Sequence, residues 1–218
     1  MKPGTTLLLF CSITISGFTQ NPSLKVLDTD FSKGRLTNLQ TITLSDAAKL
    51  HGHLCDGLAV GFLGLREALY KIYTDSVVDR TNTRVVSKSS PCLTDIAIYL
   101  TGSRYQFNSF YVSDSIKYLF ILQRIDSRKS YGVTLKTGIK PAAIDSLGNL
   151  ANQGKLDACG IDSLQKMEEL FTKIILASQP QEIFNVEEIT NFSWQPSLKN
   201  TYIKTDIINK KTPICLCN

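Results

Sequence analysis

His51-Gly52-His53-Leu54-Cys55-Asp56-Gly57 is the stretch around which the rest of the chain has to be arranged. It holds both histidines of a 218-residue chain, and a cysteine follows two positions after the second. Imidazole nitrogen and thiolate sulfur are preferred donors for zinc and related transition metals. A spacing of two points side chains to different sides of a regular helix. The donors can therefore be gathered only where the backbone leaves the helix, and Gly52 and Gly57 permit that break. The stretch reads as a helix end, a short turn and a new helix start, with polar donors turned inward.

Working outward, Ser45-Asp46 reads as a helix cap, and Ala47, Ala48 and Leu50 carry a short helix to His51. Residues 21–44 look polar and irregular, with an early strand around Leu24, Val26 and Leu27. After Gly57 the run Leu58, Val60, Phe62, Leu63, Leu65, Leu69 and Ile72 is too continuous for a surface helix and predicts one buried on most sides. Thr83 to Val86 reads as a strand. Pro91 suits a helix start, and Cys92 to Leu100 reads as a second buried helix ending at Thr101-Gly102. Phe107–Val112, Ile116–Gln123 and Tyr131–Lys136 are rich in aromatic and β-branched residues and predict three strands. Their direct succession favours an antiparallel meander. Leu164 to Ala177 has helical periodicity, while Ile183–Ile189 fits either element.

Helices and strands occupying separate stretches predict an α+β fold: buried helices packed on an antiparallel β-meander, plus a helical and extended C-terminal region. The expected division is a signal peptide over 1–19, an N-terminal extension over 20–44, a metal-binding core over 45–136 and a C-terminal region over 137–218 that packs on the core.

Composition narrows the function. Apolar residues make up 43% of the chain and the net charge is a mild +5, with a mean hydropathy of −0.01. Lys and Arg are dispersed, so nucleic-acid binding is not expected. Lys2 precedes an uncharged stretch from Thr5 to Phe18 centred on Leu7-Leu8-Leu9-Phe10. That is too short to span a bilayer and suits the apolar core of a signal peptide. Gly17 and Thr19 fit the positions before a cleavage site, giving a mature start near Gln20. The expectation is an exported protein, periplasmic or secreted, with no stable transmembrane anchor. Cleavage would leave Cys55, Cys92, Cys159, Cys215 and Cys217. An odd number cannot all pair within one molecule. Metal ligation explains a retained thiol; a Cys55–Cys92 disulfide with no metal is the competing reading.

The second site element is Cys92-Leu93-Thr94-Asp95. Residues three apart share a helix face, so Cys92 and Asp95 can point the same way. At a helix start Cys92 also feels the positive end of the helix, which favours thiolate.

These motifs resemble the FmdE family, named for a component of formylmethanofuran dehydrogenase. His51-Gly-His-Leu-Cys55-Asp-Gly57, with Gly61 and Arg66, is similar to its HGHxCPG signature and the GxR that follows. Cys92-Leu-Thr-Asp95 with Thr101-Gly102 resembles its second signature, a Cys-x-x-Asp helix closing on Thr-Gly. Lys117 and Phe120 echo its Gly-Lys-x-x-Phe strand. The resemblance covers about Ser45 to Lys136 and implies an α+β domain with a helix-capped metal-binding cleft. Asp56 departs from it by replacing a proline, and Ser103–Asn108 replaces a glycine-rich turn. The zinc ribbon of some members is not recognisable, because Cys159, Cys215 and Cys217 form no Cys-x-x-Cys knuckles. An exported chain is not expected in the methanogenic pathway behind the family's name.

The expected ligands are His51, His53, Cys55 and Cys92, with Asp95, Asp56 and Lys117 behind them. The expected cofactor is a transition metal ion, zinc most simply; the partner is that ion or a small metallated ligand, and a homo-oligomer is compatible with the sequence. Two alternatives stay open: a metal-dependent enzyme with an open coordination position, and a thiol-redox protein using Cys55 and Cys92.

Overall fold

The computed structural model describes residues 21–196 and residue 211. Residues 21–44 are more regular than their polarity suggests. β1 (Ser23–Thr29) and β2 (Leu36–Thr43) form an antiparallel pair. Leu24 and Val26 point into the core, while Ser23 and Lys25 face water. This alternation leaves much of both strands polar, which is why the segment reads as irregular. Thr43 then starts α1 (Leu44–His51) through a reciprocal capping box with Asp46. The cap is thus two residues before the expected Ser45.

Gly52, at φ 104°, ends α1, and Cys55 caps α2 (Asp56–Ile72). Twelve of the seventeen α2 residues are buried, as the continuous apolar run predicted. Fully burying side chains such as Phe62, Leu65 and Leu69 contributes about 1.5–3 kcal/mol each. The fold therefore has a core independent of any ion. β3 (Val77–Asp79) adds to β1 in parallel, giving a small sheet ordered β2-β1-β3.

The larger sheet begins with β4 (Thr83–Ser87), from which α3 (Pro91–Thr101) crosses to β5 (Phe110–Val112). Then follow β6 (Phe120–Arg124) and β7 (Ser130–Leu135), two further helices, α4 (Ala142–Asn152) and α5 (Ala158–Ala177), and a short α6 (Pro180–Ile183) leading into β8 (Phe184–Glu188). The order is β5-β4-β6-β7-β8. The antiparallel run is β4–β6–β7–β8. β5 differs from a simple meander: it lies parallel to β4, because the intervening helix returns the chain in the same direction.

α2 packs on β6 and β7, α3 on β4, and α5 on α2. Val85, Phe120, Leu122 and Val133 face these helices, whereas Val86, Tyr118 and Ile121 form a separate cluster on the outer face. Among the described residues no helix is long and apolar enough to cross a membrane. The expected signal peptide, with Cys11, and the tail cysteines Cys215 and Cys217 lie outside the described residues.

Candidate metal centre

Two helix starts meet to build the site. At α2 the N-cap is Cys55 itself, whose Sγ accepts a hydrogen bond from the Leu58 N–H at 3.4 Å. At α3 the N-cap is Ser90, followed by Pro91 and then Cys92 in the first turn. Gly57 lets these starts approach: a Cβ there would lie 2.9 Å from Cys92 Sγ. The Cys55 and Cys92 sulfurs are 3.4 Å apart, and Cys55, Cys92 and Cys159 are all free thiols.

His51, the last residue of α1, completes the group. Its Nε2 lies 3.6 Å from Cys92 Sγ and 3.9 Å from Cys55 Sγ. Its Nδ1 hydrogen-bonds Asp95 Oδ2 at 2.8 Å, one turn beyond Cys92 on α3. With Nδ1–H donating to the carboxylate, the Nε2 lone pair is left facing the two sulfurs. His51's side chain is only 7% exposed, so packing holds the ring in that orientation.

The donor set suits a transition metal ion. Sulfur bonds of about 2.3 Å and a nitrogen bond of about 2.0–2.1 Å, at tetrahedral angles, hold donors roughly 3.5–3.8 Å apart. The observed sides of 3.4, 3.6 and 3.9 Å bracket that range. Among the described residues, His51, Cys55 and Cys92 form the one group of three such donors that could hold an ion.

The electrostatics already favour an anionic sulfur. The hydrogen bond from Cys55, helped by the Ser90 hydroxyl and by the backbone N–H of Cys92 itself, lowers the Cys92 thiol to about 7. That same hydrogen bond, with burial, pushes Cys55 up. Of the two sulfurs, Cys92 is therefore the one that ionises first, while burial and the nearby Asp56 carboxylate work against it. Asp95 raises His51 above the ordinary imidazole value, so an arriving ion competes with a proton there.

The other expected residues are placed differently. His53 is exposed and lies outside the three-donor group, with its ring centroid 4.8 Å from that of His51. It lines a cleft of about 630 Å³ between α1 and α5, beside Leu54, Thr172 and Leu176. Asp56 is buried in the first turn of α2 and meets Lys140 Nζ at 3.4 Å; the same ammonium reaches Asp145 at 2.9 Å. Lys117 is exposed, pairs with Glu187 at 2.7 Å and rests on the Tyr118 ring, away from the donor group. Sequence reasoning missed Lys140, which lies far along the chain from Asp56 in a loop without periodicity. It also missed the part of Gly57 in admitting Cys92, although the glycine itself was evident.

A sequence model of the family described as FmdE, Molybdenum formylmethanofuran dehydrogenase operon, matches residues 50–185. That is more than half of the chain. The match takes in both cysteine-bearing helix starts and runs on through α4, α5 and α6 into β8, beyond the stretch in which the motifs are evident. No curated protein matches the chain.

Proposed function

This chain belongs to the FmdE family, and we propose that it is an exported metal-binding protein. It takes a transition metal ion, zinc most simply, through His51, Cys55 and Cys92. Three protein ligands leave a coordination position for water or a small molecule. The observation that carries this reading is the convergence of two sulfurs and one imidazole nitrogen from three helix ends, with Asp95 on the far side of the imidazole. Cys92 supplies negative charge, Cys55 yields the proton it holds, and Asp95 keeps the His51 ring turned toward the sulfurs. A bound ion would supply Lewis acidity to whatever occupies the remaining position.

Elemental analysis of protein isolated from its native compartment tests the proposal. About one equivalent of a transition metal is expected, lost in Cys92→Ser. One competing reading has specific support: sulfurs 3.4 Å apart, one with a lowered pKa, suit a thiol pair that cycles to a disulfide. Finding active protein with no metal and with Cys55 bonded to Cys92 would replace the metal reading by that one. Export rests on Lys2 and the Leu7–Phe10 core. N-terminal sequencing of the exported protein should begin near Gln20; an intact Met1 on cytoplasmic protein would overturn it.

A further inference from the structure

The outer face of the five-stranded sheet holds a second constellation, unrelated to the thiols. Strand alternation places Arg84 and Val86 of β4 on that face, along with Ile121 and Gln123 of β6. Arg84 and Gln123 are direct cross-strand partners. Gln123 is 1% exposed, and its amide is fixed: Nε2 donates to Ser130 Oγ at 2.7 Å and to the Arg128 carbonyl at 3.0 Å. Its Oε1 therefore faces Arg84, accepting from Nε at 2.8 Å and from Nη2. The Arg84 guanidinium also stacks on the Trp194 ring, 4.6 Å from the centroid. A buried amide and an indole thus hold one guanidinium in place on two sides.

Nothing anionic among the described residues answers this cation. Arg66, Arg80 and Arg124 each have a carboxylate within 4 Å. Arg84 and Arg128 have none among the described residues. The two line one cleft of about 670 Å³ with Gln123, Asn191, Ser193 and Trp194, and no described Asp or Glu lines it. Trp194 Nε1–H is buried there with no acceptor among the described residues. Burial, then the proximity of Arg128, makes Arg84 a less comfortable cation than usual. Gln123 occupies two of the five Arg84 N–H groups, so three remain.

We infer that this cleft binds a small oxyanion with two negative charges, a phosphate or phosphoryl group, between Arg84 and Arg128, with the Trp194 indole N–H as a neutral donor. Two permanent cations match a dianion, and planar guanidinium donors match tetrahedral oxygens in pairs. Stacking and the Gln123 network set the Arg84 geometry beforehand, so little side-chain freedom is lost on binding.

Trp194 is the single tryptophan of the chain, which makes its fluorescence a reporter of this cleft. The full-length protein is titrated with inorganic phosphate at constant ionic strength, with calorimetry as a second readout. The expected result is a saturable change that chloride does not reproduce. Arg84→Gln should weaken phosphate by about ten- to a hundredfold, the scale of a lost charge-assisted hydrogen bond. Arg128→Gln should weaken it by about tenfold or more. Should Arg84→Gln loosen the sheet, judged by circular dichroism, Arg128→Gln decides the matter, since Arg128 lies exposed in the β6–β7 turn. Cys92→Ser should leave phosphate binding unchanged, which separates this site from the metal reading. Absence of saturable binding, or parental affinity in the folded arginine variants, would overturn the inference.

Discussion

On one side of the five-stranded sheet, groups that shed protons gather to receive a cation; on the other, permanent cations stand with no described anion beside them. The difference follows from what each kind of backbone provides. Helix starts present N–H groups and a positive dipole end, which favour the anionic form of a thiol placed there. Cys92 is lowered in that setting, although the hydrogen bond from Cys55 is the largest cause. Strands have almost no net dipole. A charged site on a sheet must use charged side chains and position them through cross-strand partners, as Gln123 positions Arg84. The thiol and imidazole groups of the helix-end site are consequently titratable, whereas the guanidiniums of the sheet site keep their charge.

The largest expected effect tests the helix-end side. Cys55→Ser and Cys92→Ser should each lower metal affinity by more than about a hundredfold, exceeding the usual effect of losing an outer-shell partner. The fold should survive, since α2 and the sheet bury their apolar surface without the ion. Elemental analysis and thermal unfolding check both halves. Stoichiometric metal in either variant would remove the basis of the contrast.

Asp95→Asn should have the next largest effect, about ten- to a hundredfold in metal affinity. Its pH signature distinguishes positioning from simple structural loss. Ligating groups must give up protons, so affinity rises with pH. Asp95 is the largest cause of the raised His51 value. Removing its charge lets the imidazole release its proton at lower pH, so the rise in affinity should begin at lower pH while its plateau falls. Metal titrations across the neutral range measure this. A lower plateau with an unmoved onset would mean that Asp95 does not control the His51 proton.

How much of this was legible follows the distance over which each feature is determined. Both cysteine-bearing helix starts were readable because their signals are local: Gly52 and Gly57 around one, Pro91 before the other, and apolar runs after each. The α+β class followed from the same runs. β5 pairing in parallel with β4 was not readable, since strand order depends on contacts remote in sequence. β2 was hidden by its water-facing residues, and α4 by burying Ile144 alone. At the site, spacing treats His51 and His53 alike. Only the position of Asp95 against α1 singles out His51.

Gly57→Ala should have a smaller effect and sharpens the geometric side of the comparison. The added methyl would stand 2.9 Å from Cys92 Sγ and 3.1 Å from its Cβ, so either the Cys92 side chain turns away from the donor group or the helix starts move apart. Overpacking of this kind costs about 1–3 kcal/mol. Thermal unfolding should show that loss together with a weaker metal site. The Arg84 cleft, behind the sheet, should bind phosphate as before, because distant sites without shared partners behave additively.

His53→Ala should have the smallest effect, and its size decides how the helix-end site is completed. His53 is exposed, lies outside the donor triangle and faces the cleft between α1 and α5. Its ring lies beside that of His51, and Glu168 interacts with it only through charge, whereas Asp95 hydrogen-bonds His51. An imidazole held so loosely has to give up rotamer freedom to bind an ion, which reduces what it can contribute. If the fourth position belongs to water or a small molecule, His53→Ala should change metal affinity by less than about tenfold, below the range for removing an orienting partner. The same variant should alter the access of small thiol or imidazole ligands to the bound ion, readable by the spectrum of a cobalt-substituted protein. A loss as large as that of Cys92→Ser would instead make His53 the fourth ligand. The site would then be closed, as structural zinc sites are, and the small-molecule part of the proposed function would fall.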